Sequence, residues 1–371
     1  MNDNEEIYII HKDWEGICFF LNNKIHRKNV IDESGLYENI LNILNIKWEK
    51  WDEERFIYND ILKIYYLDNI HILNSKNSNI SLCKKQIIIS LSPYINILPY
   101  ENINIINNEI INKQIFKNTD FYEPSYTIII TLKDYSENIK LLINNNEIYL
   151  EQINIPYHNI STMTLFKDDY HLLERYLKYY SDLGVNLFYI YYNQKITKEL
   201  IKNIIKINKT NICLYIVEWD HQYWHAPTQH NAQTMAMNNS LHILKNYGNY
   251  TLYNDLDEYI ILDNYQNFNE MIDNNNNIDI FIFKNRFCKL GLDLIGYEDF
   301  NKKFDLTKII KGNYWDKYRE KNLIKLQNIN ILGVHKIFEP KILSSKVISE
   351  FYHIINFEEK YREELMTEYI M

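Results

Sequence analysis

Residues 250–262 read YTLYNDLDEYIIL, and the fold follows from how this stretch divides. Residues 250–253 are an aromatic and β-branched run of the kind that forms a buried strand, and 259–262 are another. Between them stand Asp255, Asp257 and Glu258, where a buried sheet should carry no charge. In extended backbone alternate side chains share a face, which points Asp255 and Asp257 together and turns Leu256 toward the packing. Two ionised carboxylates held that close repel unless a cation sits between them, and a hard divalent ion, Mn²⁺ or Mg²⁺, suits oxygen ligands. About one Asp-x-Asp arises by chance in a chain of this acidity. This is the only one here, and it ends an apolar strand.

Upstream, from residue 160, strands alternate with helices, the signature of a parallel α/β sheet. Residues 161–166 form a first strand. Leu172, Leu173, Tyr176, Leu177, Tyr180 and Leu183 then recur at helical spacing over 169–183, with Gly184 as the cap residue. Residues 185–192 (VNLFYIYY) are nearly all apolar, as a strand covered on both faces must be. Thr197 caps a second helix carrying Leu200, Ile201, Ile204 and Ile205, and 212–219 make a third strand. A helix over 229–247, ended by Gly248, leads into the acidic strand. The carboxylates thus fall at a strand C-terminus, where open α/β sheets bind ligands.

Residues 1–155 have another texture. Short β-branched or aromatic runs at 7–10, 17–21, 57–58, 64–66, 87–91, 126–132 and 139–143 are broken by Asn, Asp and Gly. The expectation is a smaller β-rich domain over 1–155, followed by an α/β domain over 156–371. Aromatic rings in the first are either core or a platform for sugar rings.

With 371 residues and 46% hydrophobic content, the chain can bury two cores. Its net charge of −9, with no long basic run, argues against a nucleic-acid groove. Asn, Ile, Lys and Tyr are heavily used while Gly (8) and Pro (6) are scarce, the mark of an AT-rich genome such as some large DNA viruses carry. So few glycines exclude in practice the phosphate cradles of P-loop or dinucleotide type. The four cysteines lie far apart with no Cys-x-x-Cys, as in a reduced, cytosolic protein. The acidic N-terminus has no signal-peptide shape, and no run approaches ~18 apolar residues, so the expected location is cytoplasmic, in host cytoplasm for a viral source, without a membrane span.

Several local motifs resemble GT-A glycosyltransferases, and more narrowly the family 92 and family-2-like enzymes. Phe166-Lys167-Asp168-Asp169 through Leu173-Glu174-Arg175-Tyr176 to Leu183-Gly184-Val185 is similar to their entry motif, and Tyr191-Tyr192-Asn193 to their Y-D-N strand end. Gln233 through Ala236 and Asn238 to Leu241 matches Q-x-x-A-x-N-x-x-L, and Asp255-Leu256-Asp257-Glu258-Tyr259 matches D-L-D-E-F. Residues 321–335 are similar to K-x-I-V-x-P-x-x-V-x-x-x-H, with Gln327 in place of the Pro. The resemblance spans roughly residues 158–357 and implies an α/β GT-A fold, Rossmann-like and mostly parallel with flanking helices.

It further implies a metal-dependent hexosyltransferase that uses a nucleotide-diphosphate sugar, UDP-linked, and a glycan, glycoprotein or other hydroxyl acceptor, with inversion. On that reading Asp255 and Asp257 hold the Mn²⁺ or Mg²⁺, and His335 is a third metal ligand or a phosphate contact. Asp168, Asp169, Asn193, Gln233, Asn238, Asp255 and Lys325 meet the donor; Lys321 is either a second phosphate partner or a solvated charge. Asp293 is the candidate general base, since a carboxylate must take the proton of the attacking hydroxyl. Glu298 and Asp299 lie in the same region, where Arg286 to Gly291 (RFCKLG) departs from the family's Gly/Ser-rich loop. His221, His225 and His230 also raise a zinc site, which Pro227 and the missing Cys pair oppose. Two other classes stay open: a non-catalytic glycan-binding or fibre-decoration protein on a degenerate transferase fold, and a nucleotidyltransferase, for which no Gly/Arg/Lys-rich loop follows the first strand.

Overall fold

The computed structural model describes residues 7–13, 16–21, 24–29, 56–58, 63–66, 70–73, 80–91, 103–118, 125–144, 146–197, 200, 203–204, 212–221, 223, 231–290, 304–314, 319–334, 337–340 and 343–354. A ten-stranded sheet carries the site. Its strands and helices, in chain order, are β1 (Ile70–Leu73), β2 (His158–Phe166), α1 (Tyr170–Asp182), β3 (Leu187–Tyr192), β4 (Cys213–Glu218), α2 (Asn231–Leu244), β5 (Gly248–Tyr253), β6 (Glu258–Ile260), α3 (Phe268–Asp273), β7 (Ile280–Leu290), β8 (Ile309–Tyr314), β9 (Lys321–Lys325) and β10 (Ser345–Ile354). The spatial order is β6-β10-β7-β9-β5-β2-β3-β4-β1, with β8 beside β7. From β1 to β5 the pairs are parallel; β9 then runs antiparallel to both β5 and β7.

The expected two-sided burial of β3 is realised residue by residue. Leu187, Tyr189 and Tyr191 face a core shared with α2, and Phe188, Ile190 and Tyr192 face one shared with α1. Alternation by side is what extended backbone imposes, so a strand covered on both faces reads as an unbroken apolar run. In α1, Leu172, Leu173, Tyr176, Leu177 and Tyr180 are all buried, the i, i+3, i+4 stripe of a helix packed on a sheet. Gly184 follows at φ +93°, a backbone conformation that side chains rarely adopt, and closes the turn into β3.

Strands occur at each expected site in the first half. Five form one sheet over residues 7–66. A four-stranded and a three-stranded antiparallel sheet over 80–151 enclose a core of Ile87, Ile89, Ile128, Ile130 and Leu141. Ile88, on the opposite face of its strand, joins the α2 core instead. β1 pairs with β4, so the main sheet draws a strand from before residue 155.

Three readings change. The helix expected over 229–247 is α2, Asn231–Leu244, and Gly248 opens β5 rather than capping it. A Cβ at Gly248 would lie 2.9 Å from the His158 carbonyl oxygen, so close approach of β2 requires the glycine. Residues 286–290, read as a loop, continue β7 and pair with β8, across a register shift between Arg286 and Cys288, and as far as Cys288 with β10. The Asp-x-Asp is not extended: Leu256 and Asp257 form a turn between β5 and β6.

Candidate active site

The strand order itself marks a crevice. β2, β3 and β4 step outward in one direction, and β5 returns to the other side of β2. At such a reversal the connections leave the strand ends in opposite directions, and ligands of open α/β sheets bind outside the C-terminal ends there. β2 ends in Phe166 followed by Lys167, Asp168 and Asp169, and β5 ends in Tyr253 followed by Asn254 and Asp255. Between them lies a cleft bordered by Thr164, Gln233, Tyr253, Asn254, Asp255 and Lys321. Thr164 Oγ1 is buried there with no hydrogen-bond partner.

Asn254 fixes the turn. Its Oδ1 accepts from Tyr176 OH (2.8 Å) and Thr162 Oγ1 (3.2 Å), and its Nδ2 donates to Tyr180 OH (2.9 Å) and the Glu258 carbonyl (3.2 Å). Tyr180 OH donates in turn to the Glu258 carbonyl (2.7 Å) and accepts from the Ile260 N–H (3.2 Å). Tyr176 and Tyr180 are one turn apart on α1, so a single helix face pins both ends of the acidic loop. Glu258 Oε2 closes it from within by accepting the Asp255 N–H at 2.8 Å.

The charges are set by three further segments. Lys321, at the start of β9, is only 3% exposed; its Nζ lies 2.7 Å from Asp255 Oδ2 and 2.9 Å from Glu258 Oε2. Gln233 of α2 donates to Asp255 Oδ1 at 3.1 Å. His353 of β10 places Nε2 3.2 Å from Asp257 Oδ2 and Nδ1 3.7 Å from Glu258 Oε1. Burial works against the Lys321 charge, but Asp255 and Glu258 outweigh it and hold the ammonium above its ordinary range. Burial also pushes the Glu258 carboxyl up, with Asp255 and Asp257 adding to it and Lys321 and His353 opposing. These two directions conflict, since a protonated Glu258 could not support Lys321. Geometry favours the ion pair, because Glu258 Oε2 accepts two N–H donors, an arrangement suited to a carboxylate.

Asp169 belongs to the same field. It takes the N-cap position of α1 without a side-chain cap bond. Burial first, then the charges of Asp257 and Asp168, raise its carboxyl to about 6. Its side chain keeps solvent contact, which screens the shift, so the direction matters more than the size.

The other expected site residues divide. Asp168, at φ +61°, accepts from Gln194 Nε2 (2.8 Å) and Tyr170 OH (3.3 Å) at the rim. Asn193 is buried, its Nδ2 tying the end of β3 to the carbonyls of Trp219 (2.9 Å) and His221 (2.8 Å). Asn238 does not reach the cleft. Its Nδ2 donates to the carbonyls of Thr234 and Leu332, and its Oδ1 accepts the Leu332 N–H. Five residues along a helix turn the side chain by about 140°, so Gln233 and Asn238 cannot share a face. Lys325 also lies elsewhere: β9 is antiparallel to β5, so Asn322 pairs with Tyr253 and brings Lys321 to the acidic turn, while Lys325 pairs with Tyr250 at the far end. His335, Asp293, Glu298, Asp299, His225 and His230 lie outside the described residues. Among the described residues, no three His, Cys, Asp or Glu are grouped as a metal cage.

Sequence reasoning left Lys321 undecided between phosphate and solvent, and it missed His353 and Asn254. The i, i+4 tyrosines of α1 were the one available sign of the buried network, and they read equally well as core.

Residues 157–369, more than half of the chain, match glycosyltransferase family 92. The chain belongs to that family and is a glycosyltransferase. No protein of curated function matches it. Among solved structures, HddC from Yersinia pseudotuberculosis is similar at 14% identity, covering 57% of this chain and all of that one, with a TM-score of 0.35. Core-mannan synthase A (CmsA/Ktr4) from Aspergillus fumigatus, in its Mn/GDP form, is similar at 13% identity, covering 38% of this chain and 45% of that one, with a TM-score of 0.23. No described helix is long and apolar enough to cross a membrane.

Proposed function

We propose that this glycosyltransferase moves a hexose from a nucleotide-diphosphate sugar, UDP-linked, to a hydroxyl of a glycan acceptor, with inversion and with Mn²⁺ or Mg²⁺ at Asp255 and Asp257. The observation that carries the reading is the acidic turn at the sheet's reversal, beside a cleft that contains an unpartnered Thr164 hydroxyl. Asp255 and Asp257 offer hard oxygens, and the Asp257 side chain keeps 24% of its surface open. Two carboxylates without a full protein cage suit an ion that completes its shell with diphosphate oxygens and water. Such an ion supplies Lewis-acid neutralisation of the departing diphosphate.

The protein's own part is positional. Asn254 and the α1 tyrosines hold the turn rigid, Gln233 orients Asp255, and His353 orients Asp257. Asp168, Asp169 and Asn193, at the ends of β2 and β3, are the proposed contacts for base and ribose. Asp293 remains the proposed general base and His335 a proposed third ligand.

A thermal-shift series with nucleotide sugars, with and without Mn²⁺, tests the reading, because a ligand bound to the folded state raises its midpoint. UDP-hexoses should raise it more with Mn²⁺ present. Asp257→Asn should remove that increment and lower transfer by about a thousandfold with little change in the ligand-free midpoint. Full transfer by the Asp257→Asn protein would overturn it.

A further inference from the structure

Lys321 is the charged group that this donor site leaves without a task. An ion pair buried as deeply as Lys321 and Glu258 (3% and 2% exposed) is weak evidence for stability, because desolvating both charges offsets their attraction. Its setting suggests another use. Asp255, Asp257 and Glu258 crowd one turn, and Asp168 and Asp169 stand at the start of α1, with the Asp257 charge reaching Asp169. A nucleoside diphosphate is itself an anion, so the cleft would repel it. Lys321 lines that cleft.

The two aspartates are also unlike. Asp255 has a protein donor on each oxygen, Gln233 on Oδ1 and Lys321 on Oδ2. Asp257 meets His353 through Oδ2.

We propose that Lys321 is the built-in counter-charge of the donor site, a positioning residue that holds Asp255 neutralised and in place. Asp257 is then the first of the two carboxylates to meet the divalent ion, and the diphosphate can enter before that ion arrives. The inference rests on the donor-site reading above. Lys321 acts through its field and through Asp255, not by touching the sugar.

Calorimetry on the full chain tests it, with UDP or GDP in EDTA as one probe and Mn²⁺ alone as the other. The wild type should bind a nucleoside diphosphate without metal. Lys321→Met should weaken that binding about tenfold and tighten Mn²⁺ about tenfold, because a competing cation has gone. Lys321→Arg, which keeps the charge, should return both constants to within about threefold of wild type. A lysine with a merely structural role would weaken both ligands in Lys321→Met, and that result, or unchanged constants, overturns the proposal. If Lys321→Met does not fold, Glu258→Gln carries the test with opposite sign. Removing one negative charge should tighten metal-free nucleotide binding and weaken Mn²⁺, and unchanged constants again overturn it. A wild type that binds neither nucleotide nor Mn²⁺ sinks the donor-site reading itself, whereas binding that no variant alters sinks only the role of Lys321.

Discussion

The two ends of β9 carry the same residue types in opposite settings. At its first residue, Lys321 is buried between Asp255 and Glu258. At its last, Lys325 stands near Asp279, whose carboxylate accepts from Ser344 Oγ (2.6 Å), the Ser344 N–H (3.2 Å) and Asn328 Nδ2 (2.6 Å). Burial opposes the Asp279 charge, but those hydrogen bonds and the Lys325 charge win and hold its carboxyl below the usual range. At the Lys321 end burial presses on Glu258 as well, and there the paired Lys321, rather than a set of neutral donors, opposes it. Asp279 is a clamp that ties the start of β7 to the turn after β9 and to the residue before β10. The carboxylates at the other end are crowded and under-solvated, and such groups are the ones a ligand can perturb.

The widest gap between the two ends should appear on removing Asn254. Asn254→Ala removes one buried partner from each of the Tyr176, Tyr180 and Thr162 hydroxyls and releases the acidic turn, and should cost about 2–4 kcal/mol in urea unfolding as well as most of the transfer activity. At the far end, Asp279→Ala should cost about 1 kcal/mol by the same measurement and leave transfer within about twofold of wild type. Lys325→Ala should leave both nearly unchanged. Transfer that collapsed in the Lys325 variant would break the contrast.

The smallest effect is a pH dependence. Asp169 is raised to about 6, so the folded protein holds its proton more tightly than the unfolded chain does. Its contribution is full below the ordinary carboxylate pKa and is lost as pH rises through about 6. Asp169→Asn should therefore raise the melting temperature at pH 7 relative to pH 4 by about 1–2 °C, a modest shift because solvent screens the group. Asp279 runs the other way: its lowered pKa gives stability above the usual range that is lost as pH falls through the folded value. Asp279→Ala should accordingly flatten the acid side of the same melting curve.

What the sequence made legible is local. Unbroken apolar runs gave β3 and β4, the helical stripe gave α1, and the short β-branched runs of the first half all became strands. Antiparallel insertion was not legible. Nothing in KNLIK says which lysine meets the carboxylates, because that depends on β9 running against β5. The turn at Leu256-Asp257 was hidden for a similar reason. Its flanks have strand composition, and it is held by tyrosines from a helix about eighty residues earlier in the chain. Asn238 shows the converse failure, since a motif spacing can be met while the helix carries the side chain away from the cleft.

The long helix α2 has one further implication. From Ala232 to Leu244 it is buried without interruption. On one side it carries Gln233 to the cleft. On the other, Asn239 bonds Ser90 (3.0 Å), Asn246, just beyond its end, bonds Gln86 (3.1 Å), and His242 stacks on Phe116 at 5.2 Å. A fragment cut to the family-matching segment alone would strip that cover and bare Met235, Ile243 and their neighbours to water. The four-stranded sheet within residues 80–132 is thus a jacket worn by the transferase, and trimming it for expression would trade a shorter gene for a sticky product.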